Sequence, residues 1–294
     1  MFFYTNLLLI NLLICPWFCD SGDPALQYAE KYFQCGSYYD AITEYKRYIY
    51  FNRDNDGVDI SSAYYKMGIS YRNRKEWDQA LASIDQSIKT AKTEKEQMER
   101  KIDIAVIQIS RKKYSAARYV LLELENSTHD KDIKEKSVFF RGICAVYEHE
   151  WEKAKRIFEM YYQSCSDLQM ISKKDDILSL LNSACQMKYK SPSLAKWLSV
   201  FIPGAGQIYC GNAADGINAL AINVLAGYPM VHHFIKKKYF DSVFYYFILF
   251  RRYYKGNKYS AQKSAIQFND TVNKKMADDI LKCLAGKSRL LKWK

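Results

Sequence analysis

The chain has 294 residues, 49% of them hydrophobic and 26% charged, with eight cysteines and a formal net charge of +12. That is the composition of a folded chain long enough for two domains, and it excludes a disordered one. The charge is uneven: residues 22–190 carry 28 Lys and Arg against 26 Asp and Glu, whereas residues 191–294 carry 16 against 5. A basic segment beside apolar runs points first to anionic lipid and only second to nucleic acid.

Residues 1–21 begin without a charged side chain and hold the run LLLINLLIC, followed by Pro16 and Cys19. This predicts a signal peptide or N-terminal anchor, although the usual basic n-region is missing. A lipoprotein signal fits less well, because bulky Ile14 and Phe18 precede Cys15 and Cys19. None of the eight cysteines forms a CxxC, and no histidine stands at zinc-ligand spacing from them, so no metal site is expected. Most of the cysteines read as small buried apolar residues.

From residue 22 to residue 190 one pattern recurs: an aromatic residue, two variable positions, then alanine. It appears at Tyr38 to Ala41, Trp77 to Ala80, Tyr114 to Ala117 and Trp151 to Ala154, with the alanines 37 to 39 residues apart. Twelve positions before each alanine stands another small residue, Ala29, Gly68, Ala105 or Gly142, and four after it a large one, Tyr45, Ile84, Leu121 or Phe158. Small residues let two helix backbones approach, and a large one a turn away fills the gap, so each copy predicts a helical hairpin. In the first turn, Gly36 suits a helix end, Ser37 an N-cap and Asp40 the capping-box position.

The second copy carries Tyr64, Met67, Gly68, Tyr71, Trp77, Ala80 and Ile84 on the signature positions of the tetratricopeptide repeat family, which this segment resembles. Copies one and four resemble it as well, while copy three departs from it at Ala105 and Gln108. The resemblance implies a superhelix of hairpins that binds a protein or peptide along its concave face. Carried onto this chain, the family's groove positions are Leu26 and Phe33, Tyr65 and Ile69, Ile102, Val106 and Ile109, and Phe139, Ile143 and Val146. That lining is apolar and suits an apolar helix or extended segment, either a partner or the chain's own helix within residues 168–189.

Ser191 and Pro192 predict a helix start, and Pro203 its end. The glycine-rich FIPGAGQIYCG reads as a helix break at a membrane boundary, with Gln207 and Tyr209 supplying interfacial hydrogen bonds. Residues 216–235 contain no formal charge and have the length of a membrane crossing; Lys236 to Lys238 make a turn, and residues 239–250 a second apolar helix. The run Gly204, Gly206, Gln207, Tyr209, Gly211 and Gly216 resembles the opening of small two-transmembrane hairpin domains of bacterial envelope proteins. Joined to repeats and followed by YYKGNKYSAQKSAIQFN at residues 253–269, it also resembles a group of bacterial proteins that combine both parts. Basic residues flank both ends of the last apolar helix, so two-pass and three-pass topologies stay open. Residues 260–294 predict an amphipathic helix and a basic tail lying on a membrane surface.

No catalytic constellation emerges. His129, His149, His232 and His233 have no nucleophile pattern around them. PGAGQIYCG lacks the lysine and Ser/Thr of a phosphate loop and follows a helix rather than a strand. The tyrosines fall on repeat packing positions and expected interfaces, so nucleic-acid stacking is not expected.

The reading is all-α: a tetratricopeptide repeat superhelix over 22–190, a transmembrane helical hairpin over 191–259, and a basic amphipathic segment over 260–294. The resemblances imply a non-enzymatic protein-binding scaffold or adaptor, without cofactor, at a bacterial inner membrane with its repeats on the extracytoplasmic side. The alternative is a small membrane-transport or membrane-protein-insertion component whose hairpin forms homo-oligomers through its glycines.

Overall fold

The computed structural model describes residues 23–55 and 58–285. The expected signal or anchor over 1–21 and the tail over 287–294 lie outside the described residues. Every regular element among the described residues is a helix. The chain divides into two compact units, Met1–Lys134 and Glu135–Lys294.

The repeat pattern becomes helix pairs: α1 (Pro24–Gln34) with α2 (Tyr38–Asn52), α3 (Ile60–Asn73) with α4 (Trp77–Lys89), α5 (Glu94–Ser110) with α6 (Tyr114–Ser127), then α7 (Lys131–Tyr147) and α8 (Trp151–Ser164). Local chemistry sets the starts. Asp23 accepts from the Ala25 N–H with Pro24 in the first turn, Asp59 accepts from Ser61 and Ser62, and Thr93 accepts from Glu96. The expected packing triplets are all buried. The small positions are needed: a Cβ on Gly68 would lie 2.6 Å from Ile84 Cγ1, and one on Gly142 would lie 2.9 Å from the Phe158 ring.

The turns repeat as closely as the helices. Gly36, Lys75, Lys112 and His149 hold left-handed φ angles of 77°, 63°, 60° and 59°. The next residue's N–H reaches back five positions, Ser37 to Tyr32, Glu76 to Tyr71, Lys113 to Gln108 and Glu150 to Ala145, which closes the Schellman motif. Outside the four repeats, Gly211 (φ 86°) and Lys237 (φ 60°) make the same turn, with Asn212 bonded to Gln207 and Lys238 to His233. The expected capping box at the first turn is altered. Ser37 makes no side-chain cap bond and instead donates its hydroxyl to Asp40 Oδ2 at 2.6 Å.

In the second unit the expected helix within 168–189 is two pieces, α9 (Leu168–Ile171) and α10 (Lys174–Cys185). There follow α11 (Pro192–Phe201), α12 (Ala205–Tyr209), α13 (Ala213–Ile235), α14 (Tyr239–Tyr245), a π-helical turn (Tyr246–Phe250) and α15 (Arg251–Ala285). Ser191 caps α11 as expected, accepting from the Leu194 N–H at 3.2 Å. Rather than ending at Arg251 and Arg252, the helix after the lysine turn continues through the π-turn into α15 and so runs across residue 259. Along α15 the residues Asn257, Ala261, Ala265, Asn269 and Asn273 follow one another every four positions, which places them in one stripe. This stripe packs α15 onto α11 and α12, and α15 also meets α10.

The hairpin of α13 and α14 is present and packed, but no helix of the described residues is long and apolar enough to cross a membrane. The 23 residues of α13 extend about 34 Å, yet Asn218, Asn223, Pro229, His232 and His233 interrupt their apolar character. The transmembrane character expected of this hairpin is therefore not found, because polar side chains are spaced through the long arm and the apolar stretch of the second arm covers only residues 239–250 before Arg251 and Arg252.

Candidate functional site at the glycine joint

The glycine segment is a close-packed joint between α11, α12, α13 and α15. Pro203 follows the last turn of α11, and Gly204 takes a φ of 91° that only glycine adopts readily. A Cβ on Gly204 would stand 1.9 Å from the Gly216 carbonyl oxygen, and one on Gly216 would stand 2.5 Å from Ile208 Cγ1. A Cβ on Gly206 would stand 2.0 Å from the Ala195 carbonyl oxygen and 2.7 Å from Ala261 Cβ. Gly211 differs: its φ of 86° serves the turn, and no atom lies within 4 Å of where its Cβ would be.

A buried polar knot holds these backbones together. Asn257 Oδ1 accepts from the Gly204 N–H and from Gln207 Nε2, both at 3.1 Å, while Asn257 Nδ2 donates to the Ser199 carbonyl at 3.1 Å. Ser199 Oγ accepts from the Gly206 N–H at 2.9 Å and donates to Gln207 Oε1 at 3.1 Å. Ser199, Gln207 and Asn257 are all buried. Gln207 is thus an internal strut rather than the interfacial side chain expected of it. Tyr209 accepts from the Ser191 N–H at 3.3 Å and lies under the Lys190 ammonium, 4.5 Å from its ring centre. Asn269 pairs with both the N–H and the carbonyl of Lys190, at 2.8 and 2.9 Å. Ser199, Asn257 and Asn269 were not singled out from the sequence. The signal was available in the four-residue spacing of Asn257, Ala261, Ala265 and Asn269.

The groove positions fall within helix packing. In the first unit Ile69, Ile102 and Val106 are buried, and Leu26, Phe33, Tyr65 and Ile109 are half-buried. In the second unit Phe139, Ile143 and Val146 are buried. The lining is less apolar than expected at Tyr65, whose hydroxyl donates to Asp103 Oδ2 at 2.8 Å and whose ring lies under the Arg100 guanidinium. Arg72 reaches Asp103 Oδ1 at 3.2 Å, and Arg100 binds Ser61 Oγ and, at 2.6 Å, the Ser87 carbonyl. Burial pushes the Asp103 carboxyl above the usual carboxylate range even though Tyr65 and Arg72 hold it. These ionic partners lie three or more helical turns apart in sequence and are invisible in an apolar periodicity.

Among the described cysteines, Cys144 and Cys210 are buried, Cys165, Cys185 and Cys283 half-buried and Cys35 exposed, all as free thiols. The expectation that most are buried holds for two of these six. No group of three or more His, Cys, Asp or Glu among the described residues could hold a metal ion. No protein-family model, curated protein or solved structure matches the chain.

Proposed function

We propose that the chain is a membrane-tethered scaffold of the tetratricopeptide repeat type, in which helical hairpins hold a partner protein or peptide and the α13–α14 hairpin seats the assembly in lipid. The observation that carries this reading is the exposed apolar surface of the hairpin. Phe240 is 86% exposed, Ile235 74% and Leu225 73%, and Ile217, Phe234 and Phe247 are exposed beside them. Soluble monomers rarely leave a contiguous apolar surface of this kind in water. Lys236, Lys237 and Lys238 at the tip of the hairpin, with Arg251 and Arg252 at its far end, supply the basic flanks that anionic headgroups attract. A pair of helices can enter the bilayer together where neither arm alone is uniformly apolar, provided the polar side chains turn toward protein.

For the repeats, the partner reading rests on the exposed aromatic side chains Tyr50, Phe51 and Tyr119. A bacterial inner membrane, with the repeats outside the cytoplasm, follows the family resemblance and the apolar run within residues 1–21. The alternative of a transport or insertion component that oligomerises through hairpin glycines is disfavoured by one observation. Gly204, Gly206 and Gly216 are already filled by backbone and side chains of the same chain.

The test is alkaline carbonate extraction of membranes from cells making the full chain, beside a variant carrying Leu225→Ser and Phe240→Ser. Retention of the parent in the membrane pellet and release of the variant are expected. Release of the parent under the same conditions overturns the tether.

A further inference from the structure

The register of the two arms limits how the hairpin can meet lipid. The Ser242 hydroxyl donates to the Met230 carbonyl at 2.9 Å, a Cβ on Gly227 would stand 3.3 Å from the Phe250 ring, and Arg252 and Tyr253 border one cavity with Ile222 and Asn223. Arg251 and Arg252, which end the apolar stretch of the second arm, therefore stand level with the middle of α13 rather than with its start. Between them and the Lys236–Lys238 turn lie only residues 239–250. That stretch rises about 18 Å, whereas a hydrocarbon core is about 30 Å thick.

Neither upright placement in a bilayer fits this register. A hairpin that spans from the lysine turn carries Arg251 and Arg252 into the hydrocarbon, about 12 Å short of the far headgroups. A hairpin that enters tip first to half depth leaves three lysine ammonium groups near the midplane, where charge is costly. The tyrosines agree with neither. Crossing helices gather them in two bands at headgroup level, whereas Tyr228, Tyr239, Tyr246, Tyr253 and Tyr259 are all exposed and scattered along the hairpin and the start of α15.

Along α13 the exposed apolar side chains form one lengthwise stripe. Ile217, Leu220, Val224, Tyr228, Val231 and Ile235 follow one another every three or four residues and are all exposed. The buried residues of the same helix, Gly216, Asn223, Ala226 and Gly227, lie on a different side. A single long apolar stripe is the pattern of a helix lying in the interface plane. The charge is one-sided as well: residues 236–258 hold seven Lys and Arg against the single Asp241. The Arg251 guanidinium lies 5.6 Å from the Phe247 ring centre and the Lys258 ammonium 4.6 Å from that of Tyr254, so each cation sits beside an aromatic ring as side chains do at a headgroup boundary.

We propose that the hairpin lies along the surface of one leaflet containing anionic lipid, without crossing the bilayer, an inference that rests on the membrane reading above. The α13 stripe rests on the acyl chains. Lys236, Lys237 and Lys238 at the turn, with Arg251 on the second arm, take lipid phosphates from the same side of the membrane.

The experiment treats right-side-out and inverted membrane vesicles from cells making the full chain with a membrane-impermeant amine reagent. Peptide mass spectrometry then reads the labelling of Lys236 to Lys238 against that of Lys255 and Lys258. Both groups should react from one face of the membrane and be protected together from the other. Reaction from opposite faces, or a lysine turn shielded from both, overturns the surface arrangement and leaves the membrane reading standing. Absence of the protein from both kinds of vesicle overturns the membrane reading itself. In flotation, binding about ten-fold tighter to vesicles of equal parts phosphatidylglycerol and phosphatidylcholine than to phosphatidylcholine alone is expected. Lys236→Glu combined with Lys238→Glu, which spares the left-handed Lys237, should cut that preference to about two-fold while helical circular dichroism stays unchanged. Equal binding of the parent to both vesicles, or an undiminished preference in the variant, overturns the anionic contact assigned to the turn.

Discussion

Gly204 and Gly216 stand back to back, so close that a Cβ on Gly204 would lie 1.9 Å from the Gly216 carbonyl oxygen. Backbone cannot yield as a flexible side chain does. Alanine at Gly204 or Gly216 should therefore destabilise the chain by more than about 3 kcal/mol. Gly211→Ala, also at positive φ but facing open space, should cost only about 1 kcal/mol. Chemical unfolding in detergent micelles ranks the three variants. Equal stability of Gly204→Ala and Gly211→Ala would mean the joint is not the backbone contact described.

Non-glycine residues occupy the left-handed position of four Schellman turns, Lys75, Lys112, His149 and Lys237. An L side chain is strained there, and Gly36 and Gly211 occupy the same position without strain. Substituting glycine at any one of the four should stabilise the chain by up to about 1 kcal/mol, read as a rise in the unfolding midpoint. A fall at all four would show that the side chains contribute more than the strain removes.

In the second hairpin Gly68 meets Ile84 where the first and third hairpins pair Ala29 with Tyr45 and Ala105 with Leu121. Gly68→Ala should cost about 1–3 kcal/mol through overpacking, although alanine is the better helix former. Ile84→Ala, which removes the Cγ1 that the new methyl would meet, should therefore cost less in the Gly68→Ala chain than in the parent, a coupling that a double-mutant cycle measures. Additive effects would argue that the two side chains do not compete for one space.

Replacing Asn257 by Ala leaves the Gly204 N–H and the Ser199 carbonyl without their side-chain partner in a buried site and leaves Gln207 Nε2 only the 3.5 Å bond to the main-chain carbonyl of residue 257. The expected loss is about 2–4 kcal/mol. Asn269→Ala, which unpairs the half-buried Lys190 backbone, should cost less. Hydrogen exchange at Gly204 and Gly206 should accelerate in the first variant and stay near the parent rate in the second.

His149 titrates below its ordinary value of 6.5 because burial, helped by Lys274, disfavours its cation more than Asp270 favours it. The unfolded chain then binds more protons than the folded one between the two pKa values. Stability contributed by this residue is complete above pH 6.5 and is lost as pH falls through that value toward the lowered one. Thermal unfolding between pH 7.5 and 5 should fall less steeply in His149→Gln than in the parent. Parallel profiles would mean the histidine titrates alike in both states.

The repeat hairpins were legible from residue spacing because helix contacts demand small and large side chains at set intervals. The aromatic-x-x-Ala motif and its partners twelve before and four after locate the buried positions of the helix pairs. Conversely, Tyr65 shows the limit of reading apolar lining: its ring fits the pattern, while its hydroxyl answers to Asp103, 38 positions away in sequence. The continuous helix past residue 250 was missed because Arg251 and Arg252 read as a membrane boundary, although charge on an exposed face does not stop a helix.

By itself the sequence determined the helical class, the repeat period, and the turn positions, since each follows from short-range backbone and side-chain chemistry. Only the tertiary structure decided what the glycines and asparagines do. Their partners lie far apart in the chain, 58 residues from Ser199 to Asn257 and 79 from Lys190 to Asn269, and a hydrogen bond or backbone contact across such a separation leaves no local pattern. Folding brings Gly204 against Gly216 and Gln207 against Asn257, and so turns a glycine-rich stretch into the joint between α11, α12, α13 and α15.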